Sequence, residues 1–233
     1  MKKVKQLFQI AGLLLLSVLV FTSCSDDDND IASGASMELS IIMNTTSTST
    51  ATKAMNANSL VFNTGSVIIR EIVFDGELVT GDSTQSVSIT HAQIATINLV
   101  TGNATPAVEV EIPVGTYRWV NLGIEIQDEN DIPSVVAEGT YTNADGIETP
   151  VRFEFNSGEV FEAEAPEHTF QDGTNAVAEI DFSPAVWFST ITSTQLDNAT
   201  RTDGVIVVSE SSNSAIFDIV ADGLDNATQA TFK

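Results

Sequence analysis

The chain has 233 residues, 32 Asp+Glu against 9 Lys+Arg, a formal charge of −23 and one cysteine. Such an acidic balance opposes binding to nucleic acid, which needs a basic surface, and a single cysteine rules out an intramolecular disulfide. The length suits one domain, at most two, with enough material for a sizeable core.

Lys2, Lys3 and Lys5 open the chain, and Ile10 to Phe21 is an apolar run broken only by Gly12 and Ser17. A basic start and an apolar run too short to span a bilayer predict a secretory signal over residues 1–23. Phe21-Thr22-Ser23-Cys24 resembles a bacterial lipobox, with Phe21 standing where that motif usually carries an aliphatic residue. The resemblance implies cleavage before Cys24 and lipid on its sulfur. That anchor also gives a reason for the lone thiol. Cleavage would remove three lysines and no acids, leaving six Lys+Arg against 32 Asp+Glu, a formal charge of −26. So charged a domain does not lie down on anionic lipid, and membrane contact falls to the anchor alone.

Ser25-Asp26-Asp27-Asp28-Asn29-Asp30 is a self-repelling run and reads as a solvated tether, residues 24–36. It resembles the acidic export signal of surface-exposed Bacteroidota lipoproteins, which implies an outer-membrane protein facing outward. A calcium loop fails here, because Ile31 and Met37 occupy the positions where an EF-hand needs Gly and Glu.

Residues 37–233 are expected to form the folded domain. Met37–Met43 is a candidate first strand, and the Ser/Thr-rich stretch 44–59 is a linker. Short runs rich in Val, Ile, Thr and Phe then follow between turn residues, as in a sandwich or barrel. Val67–Phe74 ends at Asp75-Gly76, a turn signal, and Ser86–Thr90 is short. Ala107–Ile112 alternates strictly, Pro113–Thr116 turns the chain, and Tyr117–Gln127 alternates again. Strands are also expected over Val135–Tyr141, Val151–Phe155, Glu159–Ala165, Val177–Phe182 and Val205–Val208.

Two helices are expected in the C-terminal segment 183–233. One starts at Ser183-Pro184, with Val186, Trp187, Ile191 and Leu196 as its stripe. The other is capped by Ser212 or Asn213 and carries Ile216, Ile219, Val220 and Leu224. Their ends echo each other, Leu196-Asp197-Asn198-Ala199-Thr200 and Leu224-Asp225-Asn226-Ala227-Thr228. The fold class expected is therefore mostly β, an antiparallel β-sandwich with two short C-terminal helices.

Little of the sequence points to catalysis. His91 and His168 stand in no nucleophile or zinc spacing, and no phosphate-binding glycine loop or cofactor fingerprint occurs. Glu109 with Glu111, and Glu162 with Glu164, lie about 7 Å apart on one strand face, a spacing that any solvated sheet also produces. A working glycosidase pair would need one of them in an apolar or crowded site. Asp128, Asn130 and Asp131 crowd oxygen ligands into one loop, a weak calcium candidate that is also an ordinary polar turn.

In the strand from Tyr117, alternation assigns Arg118, Val120, Leu122, Ile124 and Ile126 to the core side. Tyr117, Trp119 and Asn121 then share the other side, where aromatics among polar groups can stack on sugar rings or meet a protein partner.

The runs Val67–Glu77, Ala95–Gly102 and Ile112-Pro113-Val114-Gly115-Thr116-Tyr117 carry a wider likeness, over roughly residues 60 to 165. Together they resemble a domain-of-unknown-function family of Bacteroidota exported lipoproteins. The resemblance implies a prealbumin-like (transthyretin-like) β-sandwich and a place in the envelope, and no catalytic residues. The function expected is a non-catalytic binding or adhesion module. A structural, fimbria-like envelope subunit and a carboxylate-dependent glycoside hydrolase are the alternatives.

Overall fold

Alternation decides where the first strand lies. Met37, Leu39, Ile41 and Met43 recur with period two, so an extended chain puts all four on one face, and all four are buried. The computed structural model describes residues 34–43, 59–158, 160–173, 175–224 and 229–232. The expected leader, Cys24 and nearly all of the tether and linker lie outside the described residues. Strand β1 spans Ala35–Met43, so it takes the last two residues assigned to the tether. Ala35 is already fully buried.

β2 (Ser59–Thr80) and β3 (Ser83–Asn98) form a long hairpin joined at Gly81-Asp82, where Gly81 takes φ 62°, as a tight two-residue turn requires. The turn expected at Asp75-Gly76 is thus continuous strand. A Cβ at Gly76 would sit 2.7 Å from the Tyr117 ring, so this glycine is there for close approach, not for turning. β4 (Ala104–Thr105) and β5 (Glu109–Ile112) are short. β6 (Gly115–Ile126), β7 (Val135–Thr142), β8 (Glu148–Phe155), β9 (Val160–Ala165), β10 (His168–Phe170) and β11 (Asn175–Phe182) follow.

The described residues of the C-terminal segment hold three helices. α1 is only Pro184–Trp187, and α2 is Ser193–Asp197. Ser183 makes no side-chain cap, whereas Thr192 and Gln195 form a capping box that starts a new helix where continuation of the first was expected. After β12 (Arg201–Thr202) and β13 (Val205–Val208) comes α3 (Ser214–Leu224), then β14 (Gln229–Phe232). In α3 the core side is Ile216, Phe217, Val220 and Leu224, while Ile219 faces outward. Asn213 spends its side chain on Thr200 and Val207 instead of capping α3.

The strands make two sheets over one continuous core, a mostly β, sandwich-like fold. The smaller has the order β14-β11-β1-β5, the larger β10-β6-β2-β7-β8-β13-β12 with β3, β4 and β9 attached. Most pairs are antiparallel, but β1 with β11 and β13 with β8 are parallel.

The larger sheet is interrupted at its middle. Val67 pairs with both Ile97 and Val135, while Ile69 pairs with both Ala95 and Ile126, so β6 and β7 lie end to end along one edge of β2. Ile68 stitches the two ends together, its N–H donating to the Ser134 carbonyl (2.7 Å) and its carbonyl accepting from Gln127 N–H (2.9 Å). β8 and β9 lie end to end in the same way beyond β7 and β6.

Candidate functional site on the outer sheet face

Regular alternation would send Tyr117 and Trp119 to the same side. The ladder is not regular there: Gly76 faces Val120 and Leu78 faces Tyr117, so one β2 residue, Glu77, opposes both Arg118 and Trp119. This β-bulge switches parity. Tyr117 turns into the core, fully buried, while Arg118 and Trp119 are both exposed. The expected grouping is corrected accordingly: Tyr117 is not part of an outer surface, and Arg118 is not on the core side.

Tyr117 closes an aromatic cluster with Phe74 (5.5 Å, edge-on) and Phe170 (5.4 Å, edge-on), and its hydroxyl donates to the Pro113 carbonyl at 2.9 Å. Burial pushes its pKa up to about 12. The Tyr141 hydroxyl, in the other half of the sheet, also titrates at about 12 through burial and its 2.9 Å hydrogen bond to Asp197. His168 packs its ring 4.6 Å from Phe170, and burial lowers its pKa. His91 is half-buried within β3, with Nε2 3.2 Å from Gln93 Oε1.

Trp119 remains outside, 39% exposed, at the side of a shallow concavity of about 510 Å³ that Val120, Glu164, Ala165 and Pro166 complete. Asn121 shares this outer face, half-buried between its cross-strand partners Asp75 on β2 and Glu164 on β9. Its Oδ1 is buried and has no hydrogen-bond partner among the described residues. The same register brings Glu71, Glu125 and Glu162 to this face, and Glu77 lies 4.0 Å from the Arg118 guanidinium. The result is one exposed indole in an acidic surround. Alternation within β6 pointed to Trp119 and Asn121. It gave no sign of Asp75, Glu77 or Glu164, which only strand pairing brings alongside.

The loop of weak metal candidates is the 127–134 excursion at the sheet's interruption. Asp128 lies 3.5 Å from the Arg70 guanidinium, which also reaches Glu129 (3.5 Å) and Glu125 (3.8 Å), so a cation already sits among these carboxylates. Asn130 accepts from Ile132 N–H with its side chain and from the Asn156 amide with its carbonyl, while Asp131 borders a separate concavity with Glu154, Asn156 and Glu210. Among the described residues, no group of three or more His, Cys, Asp or Glu is arranged to hold a metal. Glu109, Glu111, Glu162 and Glu164 are all exposed, with none in the apolar or crowded site that general-acid work demands. A further concavity of about 370 Å³, lined by Leu60, Tyr141, Phe188 and Leu196 among others, lies between the larger sheet and α1–α2.

Comparison with protein-family models, curated proteins and solved structures finds no match to this chain. No helix among the described residues is long and apolar enough to cross a membrane.

Proposed function

We propose that this chain is an outer-membrane lipoprotein, anchored through Cys24 and facing outward, whose sandwich is a non-catalytic binding module. Its contact surface is the outer face of β6 and β9 around Trp119. The observation that carries this reading is the exposed indole beside a concavity with Glu164 at its edge, on a face where the rest of the large aromatics have been turned inward. The lipobox-like Phe21–Cys24, the acidic run after it and the resemblance to exported lipoproteins support the location, and the sandwich-like fold is compatible with that family. The carboxylates that ring Trp119 favour a neutral sugar or a basic surface as ligand and disfavour anionic glycans.

The two tryptophans make the test direct. Trp187 is buried and Trp119 is not, so acrylamide quenches Trp119 selectively. A ligand that stacks on the site protects that fluorescence saturably, and Trp119→Ala weakens its binding by about tenfold or more with the fold unchanged. Saturable glycan or protein binding that is indifferent to Trp119→Ala moves the site elsewhere. Turnover of a glycan, lost on replacing one glutamate, would replace the module by an enzyme.

A further inference from the structure

The larger sheet has one long edge that nothing described covers. From Ser83 to Ala92, β3 pairs with β2 in unbroken register, and β4 joins the opposite edge only at Thr96 and Ile97. Between them comes a bulge, where Gln93 and Ile94 together oppose Arg70, and the Gln93 amide donates to the Ala107 carbonyl at 2.9 Å. Among the described residues no strand lies against the free side of Ser83–Ala92, an edge roughly 30 Å long.

Edges of this length ordinarily carry lysine, proline, a bulge or an inward charge to block pairing. Ser83–Ala92 has none of them. Residues 83–108 contain no Asp, Glu, Lys or Arg, in a chain with 32 Asp+Glu. A second copy is therefore repelled by the surface in general and least of all here. The segment is also self-complementary. Antiparallel pairing centred on Ser88 sets Ser86 against Thr90 of the second copy and Thr84 against Ala92 on the exposed face. On the other face it sets Val87 against Ile89. The acids on β2 would lie about 14 Å from their counterparts, three strand spacings away and beyond the Debye length at physiological salt.

We propose that Ser83–Ala92 is a self-association edge: two copies pair their β3 strands antiparallel about a two-fold axis near Ser88, joining their larger sheets into one. This pairing does not depend on the ligand reading. If both hold, the joined sheet presents two Trp119 sites on one face, about 24 Å apart across the strands.

Ile31–Lys233 forms one compact unit that carries the whole described core, so sedimentation equilibrium is run on that segment. The expected result is a reversible monomer–dimer equilibrium. Ser88 and Thr90 are exposed, so the double variants S88K/T90K and S88E/T90E keep the wild-type melting curve at dilutions where the wild type is monomeric. Each alone weakens the dimer by about tenfold or more, and an equal mixture of the two regains it through opposite charges. As a second measure, Ser88→Cys, the only cysteine in this segment, oxidises to a covalent dimer far faster than Ser189→Cys on the exposed turn after α1. A monomer at every concentration, a dimer untouched by the double variants, or equal cross-linking at positions 88 and 189 would overturn the proposal.

Discussion

On one side of Ile68, strand β2 carries β7 and β8 beneath the helices; on the other it carries β6 and β9 against the smaller sheet. In the first half the cover comes from the helices and the turn after α1. Phe153 of β8 meets Trp187 and Phe188 from the α1 region and Phe217 from α3, at 5.9, 5.8 and 6.1 Å, and Phe62 of β2 meets Phe188 at 5.0 Å. In the second half the cover comes from strands. Phe161 of β9 meets Phe182 of β11 at 5.0 Å, and the Phe74–Tyr117–Phe170 cluster is built from the sheet's own residues. The same hydrogen-bonded ladder thus supports two kinds of packing. A half covered by separate helices depends on a few large side chains that bind those helices down, whereas a half covered by strands depends on exact backbone spacing.

That contrast predicts where each half breaks. Phe153→Ala removes the ring shared by α1, α3 and β8, and costs about 3–5 kcal/mol in chemical denaturation, with the helical signal lost first. A loss under about 1 kcal/mol would mean that the helices hold without it. In the other half no single ring has that role, and the sensitive position is a glycine. Gly76→Ala places a Cβ 2.7 Å from the Tyr117 ring and 3.1 Å from the Trp119 carbonyl, and costs about 1–3 kcal/mol by overpacking. Because the bulge at Arg118-Trp119 lies opposite the next residue, Glu77, and the new Cβ crowds the Trp119 carbonyl, this variant also changes the acrylamide exposure of Trp119. An unchanged exposure would uncouple the glycine from the candidate site.

What the sequence made legible follows the same division. Strands rich in β-branched and apolar residues between turn residues lie where expected: β1, β5, β7, β8, β11 and β13 fall within a few residues of their predicted bounds. The errors came where tertiary contact overrides local signal. Asp75-Gly76 has the chemistry of a turn, but Gly76 lies beneath a ring contributed by another strand. One residue of β-bulge, invisible in an alternating pattern, reversed Tyr117 and halved the predicted aromatic pair. Val186, Trp187, Ile191 and Leu196 do fit a helical stripe, yet the Thr192–Gln195 capping box divides it. The shortest strands, β4, β10 and β12, hold two or three residues each and have no periodicity to read.

The smallest effect separates the two halves by pH. Tyr117 and Tyr141 sit one in each half, both with pKa pushed up to about 12 from 10. Between those values the unfolded chain ionises its tyrosines while the folded chain keeps its protons. The folded state thus binds more protons, and stability falls as pH rises from about 10 to about 12. Tyr117→Phe removes one contributor together with the bond to the Pro113 carbonyl, at a cost of about 1 kcal/mol at neutral pH. It should also flatten the alkaline decline. Tyr141→Phe should flatten it as well, while releasing the Asp197 contact that steadies α2. Burial lowers the His168 pKa, so the opposite sign holds in acid: its contribution is complete above about 6.5 and is lost as pH falls through the depressed folded value. Unfolding followed by Trp187 fluorescence, with Trp119 quenched by acrylamide, reports the half under the helices. The near-ultraviolet tyrosine signal of Tyr141→Phe, which then comes from Tyr117 alone, reports the other. Coincident curves at pH 11 in that variant would mean that the Ile68 stitch makes the sheet one cooperative unit.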